Sequence, residues 1–186
     1  MIVPAEVVAY DPRWPLWFAE LRAGLARPLF GVPHRIEHVG STAVPGLAAK
    51  PIIDLDIVVP SAELVPLAVE RLVAAGYRHS GDLGIAGREA FELPADAERY
   101  HHLYVVVDGN DAFLDHVMLR DHLRRDAADR ERYAARKLEL AHLLTTDRAA
   151  YVAGKAALVQ EMLARAGGSP AGGGPGRTAG AERSDG

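Results

Sequence analysis

The chain has 186 residues, a formal net charge of −4 and 49% apolar residues, values typical of one folded domain rather than a disordered or membrane-embedded chain. The acidic balance argues against a nucleic-acid partner, which attracts proteins through excess positive charge. The absence of cysteine excludes disulfides, thiolate metal ligands and thiol nucleophiles. Apolar runs are too short to cross a bilayer and the first residues lack a signal-peptide pattern, so a cytoplasmic protein without a membrane partner is expected.

The N-terminal part of the chain predicts a helix followed by a strand. Asp11-Pro12 suits a helix start, because aspartate caps a first turn and proline fits an early helical position. Apolar residues then recur at helical spacing over residues 14–25. Residues 34–39 alternate polar and apolar side chains, as a strand does, and end at Gly40. A short helix is expected directly after Ser41.

The middle of the chain predicts a sheet and one helix. Residues 52–59 are apolar and β-branched except for two aspartates, which is typical of a central strand. A helix is predicted from Ser61, and Gly76 suits its C-terminal cap. Its apolar stripe comprises Leu64, Leu67, Ala68, Leu72 and Val73. Further strands are predicted near residues 77–80, 88–93 and 101–107.

The C-terminal half predicts helices up to about residue 166, with a break near residues 145–147. Mixed charges over residues 120–139 indicate a solvated helix surface for most of the basic side chains. Residues 167–186 are rich in glycine and proline and offer almost nothing to bury, which predicts a disordered tail. The fold class expected for residues 1–166 is α/β (α+β), a mixed β-sheet with flanking helices and a helical C-terminal half.

Asp54 and Asp56 form the first candidate site. Side chains alternate along a strand, so two aspartates separated by one residue project from the same face. Adjacent carboxylates repel each other unless a cation lies between them, and Mg²⁺ prefers one or two carboxylates together with substrate phosphates. One hypothesis is a catalytic magnesium site at both aspartates. The alternative is that they mark the solvent-facing side of an edge strand.

The turn before this strand is the second candidate site. Gly40 allows the backbone to approach a phosphate closely, and a helix that starts after it offers free N–H groups to an anion. Ser41 and Thr42 add hydroxyl donors. Lys50, four residues before Asp54, is positioned to counter the carboxylates or to contact a phosphate. Together these residues predict a site that binds phosphate.

The order of strand, Gly-Ser turn, short helix and Asp-x-Asp strand, with twelve residues between Ser41 and Asp54, resembles the signature of the nucleotidyltransferase superfamily. Further segments are similar to the GrpB (UPF0157) family, over about residues 5–165. These segments are residues 10–14, 36–47, 49–56, 76–77, Arg88, 101–103, 119–124, Tyr151 and Lys155.

The resemblance implies a nucleotidyltransferase-type fold and, in some members, fusion to dephospho-CoA kinase, without an established reaction. In active superfamily enzymes a third carboxylate completes a site for two magnesium ions. Glu92 has the local pattern for this acid, but His102, within a family segment, is expected at the position. An imidazole is a poor magnesium ligand, which is at odds with ordinary two-metal transfer. His102 is instead a candidate catalytic base, with a structural histidine as the alternative.

Three arginines are candidate phosphate contacts, because a guanidinium group matches phosphate oxygens: Arg88, Arg120 and Arg124. Arg120 and Arg124 share a helix face at a spacing of four residues, although Arg124 is equally placed for a surface ion pair with Asp121. His38 is expected either to orient the phosphate turn or to fill the space beneath it.

The residues support three functional hypotheses. The first is a divergent nucleotidyltransferase in which Gly40 and Ser41 hold a triphosphate and Asp54 and Asp56 hold Mg²⁺. The second is a catalytically inactive nucleotide-binding or protein-assisting domain that keeps the pocket. The third is hydrolysis or transfer on another phosphorylated small molecule with His102 as the base. All three take a nucleotide or another phosphorylated small molecule as partner, and the sequence does not identify a protein partner.

Overall fold

A five-stranded mixed β-sheet with helices on both faces forms the fold of residues 3–167, the part of the chain that the computed structural model describes. The helices are α1 (Trp14–Leu25), α2 (Val65–Ala74), α3 (Asp111–Arg125), α4 (Ala127–Glu139) and α5 (Arg148–Arg165). The strands are β1 (Arg35–Val39), β2 (Ile53–Val59), β3 (Arg78–Gly81), β4 (Arg88–Glu92) and β5 (His101–Val107). The predicted mixed sheet and helical C-terminal half are confirmed, whereas the predicted tail lies outside the described residues beyond Gly167.

The strand order is β1-β2-β5-β4-β3. Strands β2 and β5 are parallel, and the other neighbouring pairs are antiparallel. In this register Asp54 lies beside His102 and Asp56 beside Tyr104, while Val39 lies on the other side of Asp54. Because β1 ends at Val39, the turn that follows it begins next to the first aspartate.

One face of the sheet is apolar and is closed by α1 and α2. Ile53, Leu55 and Ile57 of β2 are fully buried on this face. They belong to a core that includes Trp14 of α1 and Leu72 of α2. Full burial of such a side chain contributes about 1.5–3 kcal/mol, so this layer is a major source of stability.

The opposite face carries the two aspartates of β2, as the alternation predicts, and lies under the C-terminal helices. Val58, Val106 and Phe113 form an apolar cluster where α3 packs against the sheet. The helices α3, α4 and α5 also contact one another. Their packing therefore decides which polar groups on this face remain accessible.

Helix α1 begins later than Asp11-Pro12 suggests. Its first residue is Trp14, and the proline in its first turn is Pro15 rather than Pro12. The Asp11 carboxylate still accepts a hydrogen bond from the backbone N–H of Arg13 at 2.9 Å. The predicted helix is confirmed, and it begins at Trp14, directly after Arg13.

The helix predicted from Ser61 is also present, after a 3₁₀ turn at Ala62–Leu64. Gly76 follows it with φ at 94°, as a C-terminal cap requires. The assignment of Val73 to the buried stripe is wrong, because this side chain is 48% exposed. One residue advances about 100° around a helix, so Val73 turns away from the face that Leu72 buries.

The C-terminal half contains three helices. The predicted break near residues 145–147 is confirmed, and Asp147 caps α5 by accepting from Ala150 N at 2.9 Å. A second break at Asp126 was not predicted, and its side chain caps α4 by accepting from Asp129 N at 2.9 Å. Across residues 3–167, no helix has the length and apolar character required to cross a bilayer.

Candidate functional site

A cleft of about 160 Å³ opens on the polar face of the sheet, between the start of β2 and the C-terminal helices. Gly40 and Ser41 form one wall and Asp54 and His102 lie on the floor. The remaining walls come from the segment before β2 and from α3, α4 and α5. The cleft therefore joins the two candidate sites that were predicted separately from sequence.

Gly40 is required at the turn for two reasons. Its φ of 70° lies in the left-handed region, and a Cβ built on it meets Asp54 Oδ2 at 2.1 Å. Ser41 hydrogen-bonds the Tyr133 side chain of α4. The helix after the turn spans only Ser41–Ala43, which is too short to provide the aligned dipole expected of a helix N-terminus.

Thr42 lines the cleft, and its predicted phosphate contact stays a prediction. Its side chain is buried, and the hydroxyl donates to Ile52 O at 3.1 Å. His38 Nε2 lies 3.1 Å from the same hydroxyl, and its ring stacks on Phe18 at 4.7 Å. Burial lowers the pKa of His38 to about 4, and the nearby charges of two arginines add to the effect. This neutral ring fills the space beneath the turn.

Asp54 and Asp56 share a face but not an environment. The Asp54 side chain is 25% exposed and lines the cleft, whereas that of Asp56 is 0% exposed. His102 Nδ1 lies 2.6 Å from Asp54 Oδ1, and His116 Nδ1 lies 2.8 Å from Asp56 Oδ2. Asp56 is enclosed beneath α3 and absent from the cleft lining, and its role as a metal ligand stays a prediction.

The surroundings of Asp54 and His116 also shift the pKa values of these two groups. Burial raises the pKa of Asp54, but the hydrogen bond and charge of His102 lower it by more, so the net shift is downward. Burial lowers the pKa of His116, but the charge and hydrogen bond of Asp56 outweigh it, so the net shift is upward. The first shift favours the charged carboxylate of Asp54, and the second favours the protonated imidazole of His116. Sequence reasoning missed His116, because its position on a predicted helix did not reveal which face meets the sheet.

His102 lies directly beside Asp54 in the register of β2 and β5, and its expected place at the position of the third acid stays a prediction. Glu92 is instead engaged with β3, where it pairs with Arg78 and accepts from Ser80 Oγ at 3.3 Å. Among the described residues that line the cleft, Asp54 is the sole carboxylate. One carboxylate and nearby imidazoles do not fit a centre for two magnesium ions, which requires several oxygen ligands.

The three lysines of the chain all line the cleft: Lys50, Lys137 and Lys155. Burial lowers the pKa of Lys50 to about 8, aided by the charge of Arg148. Burial also lowers the pKa of Lys155 to about 8, aided by Lys50. The position of Lys155 agrees with its place in a family segment, whereas Arg148 was not singled out from sequence.

Lys137 contradicts the expectation of a solvated surface on α4. It is 2% exposed, and burial lowers its pKa well below the usual value. Its Nζ donates to Ala48 O and lies 4.6 Å from the centre of the Tyr133 ring. Lys155 Nζ lies 4.3 Å from the centre of the Tyr151 ring. The ammonium groups of Lys137 and Lys155 therefore each lie over an aromatic ring in the cleft. These cation–π contacts partly compensate the cost of burying their charges.

Arg120 lines the cleft, but its guanidinium group is occupied by protein acceptors. It donates to Glu37 at 2.9 Å, to Asp121 at 2.8 Å and to His38 O at 3.0 Å. Arg124 lies outside the cleft lining and donates twice to Ala43 O, at 3.0 and 2.8 Å. Both arginines fasten α3 to the Gly40 turn region and β1, so the predicted phosphate contact of Arg124 is wrong.

Arg88 is also absent from the cleft lining. It is 1% exposed, and its guanidinium carbon lies 4.5 Å from the centre of the Tyr104 ring. Its Nε and Nη2 atoms have no hydrogen-bond partner within residues 3–167. The ring of Tyr104 is thus a principal contact for this buried charge. The predicted phosphate contact fails because Arg88 projects from β4 into the packed layer.

The sequence as a whole matches the family model described as GrpB protein over residues 4–165. The chain belongs to the GrpB family. UPF0157 protein YqkA of Bacillus subtilis is 39% identical over 137 residues, which cover 73% of this chain and 39% of YqkA. A UPF0157 protein of Pseudomonas aeruginosa is 39% identical over 169 residues, which cover 87% of this chain and 67% of that protein. The chain therefore spans well under half the length of YqkA.

Solved structures give the same family and extend the fold comparison. The structure of GrpB from Enterococcus faecalis matches with a TM-score of 0.75 at 32% identity, covering 86% of this chain and 96% of that one. Cid1 in complex with its short product ApU matches with a TM-score of 0.51 at 17% identity, covering 83% and 49%. The expected nucleotidyltransferase-like fold is confirmed.

The chain is also similar to a protein named dephospho-CoA kinase from Mycolicibacterium paratuberculosis. The two are 29% identical over 188 residues, which cover 88% of this chain and 46% of that protein. The relation to dephospho-CoA kinases that the sequence resemblance implies is thus supported at the level of homology.

Proposed function

We propose that the cleft binds a nucleotide or another phosphorylated small molecule, with the phosphate groups against its lysines and the Gly40-Ser41 turn. The observation that carries the proposal is the convergence of Lys50, Lys137 and Lys155 on one cleft that contains a single carboxylate. Buried cations are unfavourable unless an anion compensates them. A phosphate supplies that compensation and accepts hydrogen bonds from several ammonium groups at once.

Binding without two-metal nucleotidyl transfer is the function that the donor set supports best. Asp56 is enclosed beneath α3, so Asp54 is the one carboxylate of the described cleft lining, and His102 lies beside it. A single Mg²⁺ held by Asp54 and by the phosphates of the ligand stays a prediction, since Mg²⁺ is commonly bound through one carboxylate and substrate oxygens. When bound there, it would neutralise phosphate charge.

Calorimetric titration of the full chain tests this proposal. The ligands are pyrophosphate, ATP, GTP and dephospho-CoA, each with EDTA and with Mg²⁺. Lys155→Met removes a cleft cation, and we expect a loss of about 10- to 100-fold in affinity, as for a hydrogen bond to a charged group. Arg71→Met removes an exposed cation of α2, outside the cleft lining, and is expected to change affinity less than about twofold.

The results separate binding from metal dependence. If no ligand binds, or if both variants weaken binding equally, the phosphate-binding proposal fails. If affinity rises with Mg²⁺ in the wild type but not in Asp54→Asn, a metal at Asp54 is supported. If EDTA has no effect, the ligand is held by the lysines without a metal.

The hydrogen bond between Asp54 and His102 favours a second candidate, general-base chemistry on a phosphorylated ligand. Asp54 Oδ1 lies 2.6 Å from His102 Nδ1 on the floor of the cleft, an arrangement that fixes the orientation of an imidazole. Assays for release of phosphate and of pyrophosphate, with His102→Gln as the variant, test hydrolysis and nucleotidyl transfer separately. Turnover lost in His102→Gln would support a catalytic base, and no turnover with any ligand that binds would support the inactive binding domain.

A further inference from the structure

The distribution of lysine is a separate property of the cleft. Of the 21 Lys and Arg residues in the chain, three are lysines, and all three line this one cleft. The arginines form ion pairs with carboxylates at many places in the fold, for example at Arg35, Arg120 and Arg132. An ammonium group differs from a guanidinium in one chemical respect that matters here, because it can lose its proton and become a nucleophile.

We propose that Lys155 is a modification site that accepts an acyl group from small acyl phosphates. The inference rests on the proposed phosphate-binding function, because the cleft holds the phosphate of the donor while the amine attacks the neighbouring carbonyl. The Nζ–C bond forms and the bond from the carbonyl carbon to the phosphate oxygen breaks. Inorganic phosphate leaves, and the nitrogen releases its proton to water. The product is an amide on Lys155, and no oxidant or reductant is needed.

Lys155 is better placed for this reaction than Lys137. Lys137 is 2% exposed and its amine donates to Ala48 O, so the nitrogen is enclosed and engaged. Lys155 is partly buried, lines the cleft and packs its amine over the ring of Tyr151 at 4.3 Å. The amine thus faces the space that the proposed phosphate ligand occupies.

The charged groups around Lys155 favour a neutral amine when no anion is bound. Lys50 contributes from the segment before β2 and Arg148 from α5, while Asp54 of β2 opposes them. Lys137 of α4 also lines the cleft. With burial as the largest cause, the pKa of Lys155 falls to about 8. At about pH 8 its neutral fraction then exceeds that of an ordinary lysine by roughly 100-fold.

Acylation at this position has a direct consequence for the cleft. The amide carries no charge and adds volume, so it removes one of the cations that hold the phosphate. Modification by an acyl phosphate is therefore expected to weaken subsequent ligand binding. The cleft would respond to the supply of activated acyl groups through the same lysine that contacts its ligand.

The test treats the full chain with acetyl phosphate at about pH 8 and follows each lysine by mass spectrometry. Arg71→Lys provides an ordinary exposed lysine on α2 within the same molecule. We expect acetylation at Lys155 to be at least about tenfold faster than at the introduced lysine, given the difference in neutral fraction. Pyrophosphate should suppress the reaction at Lys155 and leave the rate at the introduced lysine unchanged. Lys155→Arg should abolish the fast phase.

A second acyl donor, p-nitrophenyl acetate, carries no phosphate and separates phosphate guidance from simple reactivity. Preference for Lys155 that is larger with acetyl phosphate than with this ester supports the proposal. Equal preference with both donors, or similar rates at Lys155 and at the introduced lysine, overturns it. If pyrophosphate binds in calorimetry but Lys155 is not acylated faster, the acylation proposal fails and the phosphate-binding function stands. If pyrophosphate neither binds nor protects, both fail.

Discussion

The face of the sheet under α1 and α2 is apolar and closed, whereas the face under α3, α4 and α5 carries an open cleft that charged groups line. Leu55 of β2 lies in the first layer and is fully buried, and Asp54, its neighbour in sequence, lines the cleft on the other side. The first layer supplies stability through apolar burial. The second contains a cleft lined by three lysines, whose described lining includes one carboxylate, Asp54. Stability and the proposed ligand binding thus depend on opposite faces of the same strand.

The largest expected effect breaks the apolar layer. Leu55→Ala should lower the free energy of unfolding by about 2–5 kcal/mol, because it removes buried methyl groups and leaves a cavity. Urea unfolding measures the loss. Leu16→Ala is the matched control, since Leu16 of α1 is 62% exposed, and it should change stability by less than about 0.5 kcal/mol. Equal losses in both variants would show that the closed face is not the source of stability.

The next effect separates the two aspartates of the polar face. Asp56→Asn should lower the free energy of unfolding by about 1–3 kcal/mol, because it weakens the hydrogen bond between the fully buried Asp56 side chain and His116. Asp54→Asn should cost less, since its side chain is 25% exposed and water can replace part of the contact. Denaturant unfolding of both variants provides the comparison. A larger cost at Asp54 would contradict the assignment of Asp56 to the enclosed layer.

A smaller effect concerns His38, which lies beneath the Gly40 turn and lowers the stability of the fold in acid. The pKa of His38 is lowered in the fold from 6.5 to about 4, so the stability that neutral His38 contributes is fully present above about pH 6.5. It is lost as the pH falls from there towards about 4. Allowing for partial exposure, the loss amounts to about 1–2 kcal/mol.

His38→Gln should flatten that part of the stability profile, measured by urea unfolding at successive pH values. His142→Gln, at an exposed histidine, should leave it unchanged. A profile that falls equally in all three proteins would mean that His38 does not titrate as a buried ring.

Sequence alone predicted the features that depend on local pattern. Gly40, Ser41 and Asp54 follow from a turn and a strand with period-two alternation, and the structure brings all three to one cleft. The position of His102 beside Asp54 required the family resemblance as well, because pairing between β2 and β5 joins residues that are 48 apart in the chain.

Features that depend on helix docking were not predictable in this way. Lys137 and His116 lie on helices whose charge patterns resemble solvated surfaces. Only tertiary packing brings Lys137 to Ala48 and Tyr133 and places His116 over Asp56 of the sheet. Arg88 and Arg124 have the residue type that suits phosphate, yet an aromatic ring and a backbone carbonyl occupy them instead. The one local signal that was available is the scarcity of lysine, which singles out all three cleft lysines.

If an anion in the cleft compensates the charges of its lysines, ligand binding must change the number of protons that they hold. Measuring that change is the most direct test. A bound phosphate raises the pKa of Lys155 from about 8, so binding takes up protons at about pH 8. Calorimetry of pyrophosphate in two buffers of different ionisation enthalpy measures this uptake in the wild type and in Lys155→Arg, whose guanidinium stays charged. We predict that the wild type takes up about half a proton more than the variant. Equal uptake in the two proteins would contradict the account.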